Sequence, residues 1–455
     1  MIRGGAPLGV AVLLAGLLGL PGCVYYNAIY NAESAFRAGE SAWSLGQDST
    51  ATLRYDEVVR RAGAGYRSDP DGEWADEALY LMGRAHLRQG NLTAAEAALG
   101  QARSAATTLE VRQGAGVYLA EIHRLRGDRI GAFRLLNEAM AALPPGPELG
   151  QGHWVRAHLL LDGPEQLLGT AWWDLDRAAE LGPTLRVPAA LTRVRGGLRH
   201  REPARAGEGV RRLLAHQDGG ARRDTLEVLL GQAAELWGVE TTVGFLAGLP
   251  RSPWSGDDRA RLRLGLAGVL RAQGQRAAAA AAVDGVAEGA GEVAAEARIL
   301  RARWLLADAA DPGVAQSVDA LLLPVEEVPE AAALLASTTR FMDLLDRGTT
   351  DPLGLFAAAE HARDVLDSPE LARGLFLAYA NGVHGQPWVP KALMAALELS
   401  PDAAERAWIR DRLERRRLEG GRGSPYVLAA RGRPAPGLDA LEAELARRLQ
   451  ELSTP

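Results

Sequence analysis

One pattern of small and large residues, met twice at an interval of 37 positions, constrains this chain more than any other feature. From Asp76 to Gly90 apolar residues recur at helical spacing, Gly90-Asn91 makes a turn, and a second helical segment follows with Ala95, Leu99 and Ala102. Gly83, His86, Gly90, Ala95, Leu99 and Ala102 are answered by Ala120, His123, Gly127, Ala132, Leu136 and Ala139. Small residues let two antiparallel helices approach, and bulky ones fill the seam between neighbouring hairpins. Weaker copies surround Trp154, Leu175, Ala178 and Pro183, then Ala267, Leu270, Gly274, Ala279 and Val283, and finally Leu377, Ala380, Leu393, Ala396 and Pro401. No segment alternates convincingly as a strand. Aromatics at 5% and six isoleucines leave too little material for the pleated faces of a sandwich or barrel.

This frame resembles the tetratricopeptide repeat (TPR), with Pro144 at that family's closing proline. The resemblance implies an all-α fold: a right-handed α-solenoid of TPR-like helical hairpins over residues 31–437, about ten or eleven of them at this period. Gly-rich connections near residues 196–220 and 285–291 are the expected soft points, and the tract Ala277–Ala282 is expected to be a closely packed second helix. Leu438, Leu441, Leu445, Leu449 and Leu452 form an apolar stripe, so residues 438–455 are expected to be a C-terminal helix and tail capping the final hairpin. The concave face of such an array is built from the first helix of each hairpin. Here that face carries Tyr80, Arg84, Arg88, Glu121 and Arg124, a candidate protein-binding groove rich in residues that dominate interfaces. Residues 71–143 look like the repeats of BamD-like outer-membrane assembly lipoproteins, over about a sixth of the chain.

The N-terminus carries an address. Arg3, an apolar run from Val10 to Leu20 and small residues ahead of a cysteine have the layout of a secretory signal peptide, here residues 1–22. The run is shorter than the ~20 residues that a spanning helix needs. Leu20-Pro21-Gly22-Cys23 resembles the bacterial lipobox, which implies cleavage between Gly22 and Cys23 and lipidation of the cysteine. Residues 23–30 are then a lipidated anchor and tether, since two or three acyl chains hold a protein to a bilayer almost permanently. Val24 follows the cysteine, so the resemblance implies the outer membrane, with the protein facing the periplasm; Cys23 is also the chain's one cysteine, which excludes an internal disulfide.

Net charge is −6, so the whole molecule is not a nucleic-acid binder by electrostatics. Of the 51 basic residues all but Lys391 are arginine, which reflects codon usage more than recognition. Residues 186–223 nevertheless hold ten arginines against three acids, and Arg193, Arg195, Arg199, Arg201, Arg211 and Arg212 make a candidate basic patch. Residues 284–346 are acidic, with twelve acids against four arginines. The eight histidines suggest no metal grip: His86 and His123 share a repeat position facing the seam, and His153 and His158 lie on different helix faces. Asp69, Asp71, Glu73 and Asp76 lack the spacing of a calcium loop and are expected to open the next helix, with Asp71 or Asp76 as its cap. No zinc-protease, esterase, phosphate-loop or dithiol motif is present, and no cofactor is implied. The expectation is a non-enzymatic, membrane-anchored scaffold of the cell envelope, serving outer-membrane assembly or cell-wall synthase regulation through partner proteins. The alternatives are a SusD-like glycan-binding lipoprotein and, less favoured, a cell-wall lytic enzyme with a helical solenoid.

Overall fold

Glycine at a single turn position organises the chain. In the computed structural model, which describes residues 20–383, 386–419 and 424–453, Gly46, Gly90, Gly127 and Gly274 adopt φ between +77° and +81°. The turns at Gly90, Gly127 and Gly274 close in one way: the N–H of the residue after the glycine reaches back five residues, as in Asn91 to His86, Asp128 to His123 and Gln275 to Leu270 at 2.9 Å. This is the Schellman closure, which needs a left-handed residue and therefore favours glycine. Arg201 holds the same position at φ +57°, with Glu202 bonded back to Gly197 at 2.8 Å. With Gly238 (φ +81°), left-handed residues fall at 90, 127, 201, 238 and 274, in steps of 37 residues or twice that, to within one. The repeat therefore persists through the middle, where side-chain identity has drifted.

Five residues beyond the turn sits an alanine with no more than 3% exposure: Ala51, Ala95, Ala132, Ala206 and Ala279. A β-carbon is all that fits between the two helices there. On the facing helix Gly39 and Gly83 are as confined, since a β-carbon would stand 2.7 Å from Tyr55 and 2.5 Å from Leu99 respectively. Such contacts exclude larger side chains and set the helix separation.

The described residues form 23 α-helices and five short 3-10 segments, with no strand among them. They belong to two compact units, divided between Val269 and Leu270. In the first unit the helices pair in sequence: Leu20–Ser44 (α1) with Asp48–Ser68 (α2), Ala75–Arg88 (α3) with Leu92–Ala105 (α4), Leu109–Leu125 (α5) with Arg129–Ala142 (α6). Pro147–Leu161 (α7) pairs with Leu168–Leu181 (α8), Arg186–Arg199 (α9) with Pro203–Ala215 (α10), and Arg223–Trp237 (α11) with Val239–Phe245 (α12). First helices of successive hairpins also touch, so the hairpins stack. Gly256–Ala272 (α13) runs across the division. The second unit continues with Arg276–Ala287 (α14), Glu292–Ala307 (α15), Val314–Leu322 (α16), Pro329–Gly348 (α17), Leu353–Asp364 (α18), Pro369–Gly382 (α19), Val389–Leu399 (α20), Ala403–Glu419 (α21), Pro425–Ala430 (α22) and Leu438–Ser453 (α23), around its own core centred on Phe341, Phe356, Phe376 and Tyr379.

Several expectations are corrected. The Gly-rich stretch 196–220 forms a close helix crossing instead of a loose connection: a β-carbon on Gly197 would lie 2.5 Å from the Ala206 backbone N and one on Gly209 2.8 Å from the Ala190 carbonyl. Residues 285–291 interrupt the helices, with Gly291 at φ +89° between α14 and α15. Within Ala277–Ala282 only Ala279 is buried, while Ala277, Ala278 and Ala281 face water. The helix after the acidic turn begins at Ala75 with Trp74 at its cap position; Asp76 lies inside it and accepts hydrogen bonds from Thr107 N and Oγ1 at 2.7 and 2.9 Å, tying α3 to the next hairpin. The stretch 23–30, the expected lipidated anchor and tether, is helical: α1 begins at Leu20 and buries Ile29 and Ala32. The last helix, α23, docks beside α17, α18 and α20, the last of which carries Leu393 and Ala396 of the final weak copy. Arg340 and Arg347 reach the Leu452 carbonyl at 2.8 Å, Arg448 pairs with Asp351 at 2.7 Å and Lys391 with Glu442 at 2.6 Å. Residues 1–19 of the expected signal peptide lie outside the described residues, while Gly22 and Cys23 fall in the first turn of α1.

Candidate functional site

The first helices of the hairpins do line one inner face, but much of what they place there is buried. Tyr80 and Glu121 are 7% and 4% exposed, and the Arg88 side chain only 5%. Arg88 makes a bidentate pair with Glu40 of α1, at 2.8 Å from Nε to Oε1 and 2.9 Å from Nη2 to Oε2. The same guanidinium lies 3.7 Å from Glu121, donates to Gln151 at 3.3 Å and covers the Trp43 ring at 4.3 Å. Gln151 in turn donates to Glu121 at 2.8 Å, and the Tyr55 hydroxyl donates to Glu40 at 2.7 Å. One polar ladder thereby joins four hairpins. Burial alone would raise the Glu40 carboxyl, but the charge and hydrogen bonds of Arg88, helped by Arg84, hold it below the usual carboxylate range.

The inner face closes on itself here. Trp43 of α1 meets Trp154 of α7 edge-on at 5.9 Å, and the Arg222 guanidinium donates to the Ser44 carbonyl at 3.1 Å and to that of Trp43, two of the C-terminal carbonyls of α1. Arg124 is half-buried and its Nε finds no partner. Beside it His158 packs edge-on against Trp154 at 4.5 Å; burial first, then the Arg124 charge, push its pKa down to about 4. The expected open groove over Tyr80, Arg84, Arg88, Glu121 and Arg124 is thus corrected: Arg88 and Glu121 are consumed by internal pairing, and only Tyr80 and Arg84 reach an opening.

That opening is a cleft of about 400 Å³ at the α1, α3 and α5 ends, with Ile29, Leu81 and Val111 as apolar floor and Trp74, Tyr80, Arg84, Glu33, Glu77, Glu110 and Glu148 around it. Arg84 is stacked among three rings, its Cζ 4.0 Å from the Phe36 centroid, 4.9 Å from Tyr80 and 5.0 Å from Tyr118. Glu148 faces it at 3.7 Å. Burial pushes the Tyr118 hydroxyl up to about 12, Arg84 opposing the rise, so these phenols stay neutral.

Three of the six patch residues, Arg193, Arg199 and Arg212, are answered by acids: Glu208 within the stretch, and Asp162 and Asp176 outside it. Arg193 is 1% exposed and pairs with Asp176 and, at 3.1 Å, with Glu208, while donating to the Trp172 carbonyl at 2.8 Å. Burial lowers its pKa, opposed by those two carboxylates. Arg212 pairs with Glu208 at 2.8 Å and Asp176 at 2.9 Å, and Arg199 pairs with Asp162. Arg195, Arg201 and Arg211 are exposed without an ion pair among the described residues, and Arg201 occupies the left-handed position of a turn. Arg186, Arg193, Arg212 and His216 border a second cleft of about 340 Å³ whose lining is otherwise apolar, apart from Asp176 and Glu180.

His153 donates or accepts at Asp174 over 2.7 Å, and Arg156 holds the same fully buried carboxylate with two hydrogen bonds at 2.7 and 2.8 Å. His123 meets Asp128, whose other oxygen receives the Gly131 N–H, so this histidine secures a hairpin turn. Among the described residues no three His, Cys, Asp or Glu side chains converge to hold a metal ion, and no helix is long and apolar enough to cross a membrane. Sequence reading missed Glu40, Tyr55 and Trp43 because the first hairpin was not placed in the repeat frame. The signal was present: Gly39, Gly46, Ala51 and Tyr55 stand in the same register as Gly83, Gly90, Ala95 and Leu99. No family model matches the chain, and no curated protein matches it.

Proposed function

We propose that this protein is a non-enzymatic scaffold of the bacterial cell envelope, a right-handed solenoid of TPR-like hairpins held to the outer membrane by lipid on Cys23. The observation that supports this most is the 37-residue spacing of left-handed turn residues from Gly90 to Gly274. Within the first unit the stacked hairpins present a surface assembled from equivalent helices, the arrangement that repeat proteins use to hold other proteins. Envelope proteins concerned with outer-membrane assembly or cell-wall synthesis are the partner class. Crosslinking in cells, followed by identification of the captured proteins, tests the reading: recovery of barrel-assembly or synthase components supports it, and recovery of no envelope protein overturns it. The anchor is tested by feeding cells a fatty-acid analogue. Wild-type protein takes up the label and Cys23→Ala does not; equal labelling of both overturns lipidation at this residue.

A further inference from the structure

The described lining of the 400 Å³ cleft at α1, α3 and α5 carries an excess of negative charge. It holds four glutamates, of which Glu33 pairs with Arg37 at 3.0 Å, and one cation, Arg84, already enclosed by three rings and faced by Glu148 at 3.7 Å. Glu77 and Glu110 have no ion pair among the described residues. Burial, and then the neighbouring charges of Asp76, Glu33 and Glu73, push the Glu77 carboxyl above its ordinary range. A second observation is independent of the acids. Tyr80 is 7% exposed and lines the cleft, and although its hydroxyl is turned toward Glu148 it makes no hydrogen bond within 3.5 Å. With the O–H turned toward Glu148, the lone pairs of this buried phenol oxygen stay open to accept an incoming N–H. Trp74 adds an aromatic wall to the same opening.

We propose that this cleft receives an arginine or lysine side chain from a segment of a partner protein, with Glu77 and Glu110 as its counter-charges, Tyr80 as acceptor and Trp74 as the ring beside it. Complementary charge selects the occupant: a carboxylate or phosphate would meet like charge on three sides, while a guanidinium or ammonium relieves the crowding around Glu77. Half-enclosure by apolar residues keeps water from screening the pairing as it would on an open surface. That the cation arrives on a protein rests on the scaffold reading; the chemistry of the cleft does not.

The test uses the purified full chain and fluorescence anisotropy. The probes are a fluorescein-labelled, acetyl-capped peptide Gly-Arg-Gly-Arg-Gly, its lysine counterpart, and a counterpart with citrulline, which keeps the shape of arginine without its charge. Wild type binds the cationic peptides and not the citrulline one. Glu77→Gln with Glu110→Gln weakens binding about tenfold, the effect of losing ~1.4 kcal/mol. Glu326→Gln with Glu327→Gln, two exposed acids of the second unit, leaves binding unchanged. Equal binding of the arginine and citrulline peptides, or equal losses from the two double variants, overturns the proposal, the latter because net charge alone would then explain the affinity. If the cleft variant does not fold, the exposed Glu110→Gln alone still decides, with a smaller loss expected and no loss overturning it. Captured partners in cells that are indifferent to the Glu77 and Glu110 changes overturn the cleft but not the scaffold; peptide binding with no captured partner does the reverse.

Discussion

Arg88 serves two buried carboxylates at once, and the consequences of removing it differ from those of removing either partner. Glu40→Gln leaves Arg88 with Glu121 at 3.7 Å and Gln151 at 3.3 Å, so the expected loss is about 1–2 kcal/mol. Arg88→Met strands both Glu40 and Glu121 in the interior, with an expected loss of at least ~3 kcal/mol, and urea denaturation of the two variants checks the order. Glu40 is held below its unfolded value of 4.5, so its contribution is present above that pH and fades as pH falls through its lower folded value. His158 acts at higher pH. It stays neutral in the fold down to about 4, whereas the unfolded chain takes up that proton near 6.5, so stability declines as pH drops between those values, by at most ~3 kcal/mol. His158→Phe is expected to flatten the stability profile in that interval, measured by urea denaturation at a series of pH values. Arg88 was recognisable in the sequence as an inner-face residue, but not as a buried one. Its partner Glu40 is 48 residues away in a hairpin of different connecting length, and no local pattern announces that contact.

At the scale of the element, the backbone position of the turn outlasts the residue that suits it. Arg201 carries a β-carbon in the left-handed region, where glycine serves in the equivalent turns at Gly90, Gly127 and Gly274. Arg201→Gly is therefore expected to stabilise the first unit by about 1 kcal/mol, read as a higher urea midpoint, since its exposed side chain makes no ion pair to lose. The same residue had looked like part of a basic patch. Helices and their turns were legible from apolar period and glycine placement, and the frame of the two clear copies located seams correctly at Leu99 and Leu136, both fully buried. The glycines of α9 and α10 were misjudged as loose because composition cannot distinguish a glycine that frees the chain from one that lets two helices touch. Gly197, with the Ala206 backbone where its β-carbon would be, is the second kind.

Considered as a whole, the chain has two units with separate cores, and the second depends on its last helix. The leucine stripe of α23 buries Leu445 and half-buries Leu438, Leu441, Leu449 and Leu452 against a core that includes Phe356 and Val389. Deleting residues 438–455 is expected to raise amide exchange in α17, α18 and α20 while leaving the first unit's protection unchanged, as read by hydrogen exchange with mass spectrometry. Loss of protection spread evenly through the first unit would contradict the independence of its core.

The sequence by itself determined that the chain is helical, where its hairpins turn in the clear copies, and which alanines and leucines enter the seams. These are properties of neighbours along the chain, set by side-chain period and by the dihedral freedom of glycine. Only the tertiary structure decided which charges are free. Of the ten arginines crowded between residues 186 and 223, Arg193, Arg199, Arg212 and Arg223 are answered by Asp162, Asp176, Asp224 and Asp258, which lie outside that stretch, and the inner-face arginines Arg84 and Arg88 by Glu40, Glu121 and Glu148 from other hairpins. Coulombic pairing depends on distance in space, and a repeat of 37 residues returns distant parts of the chain to the same face.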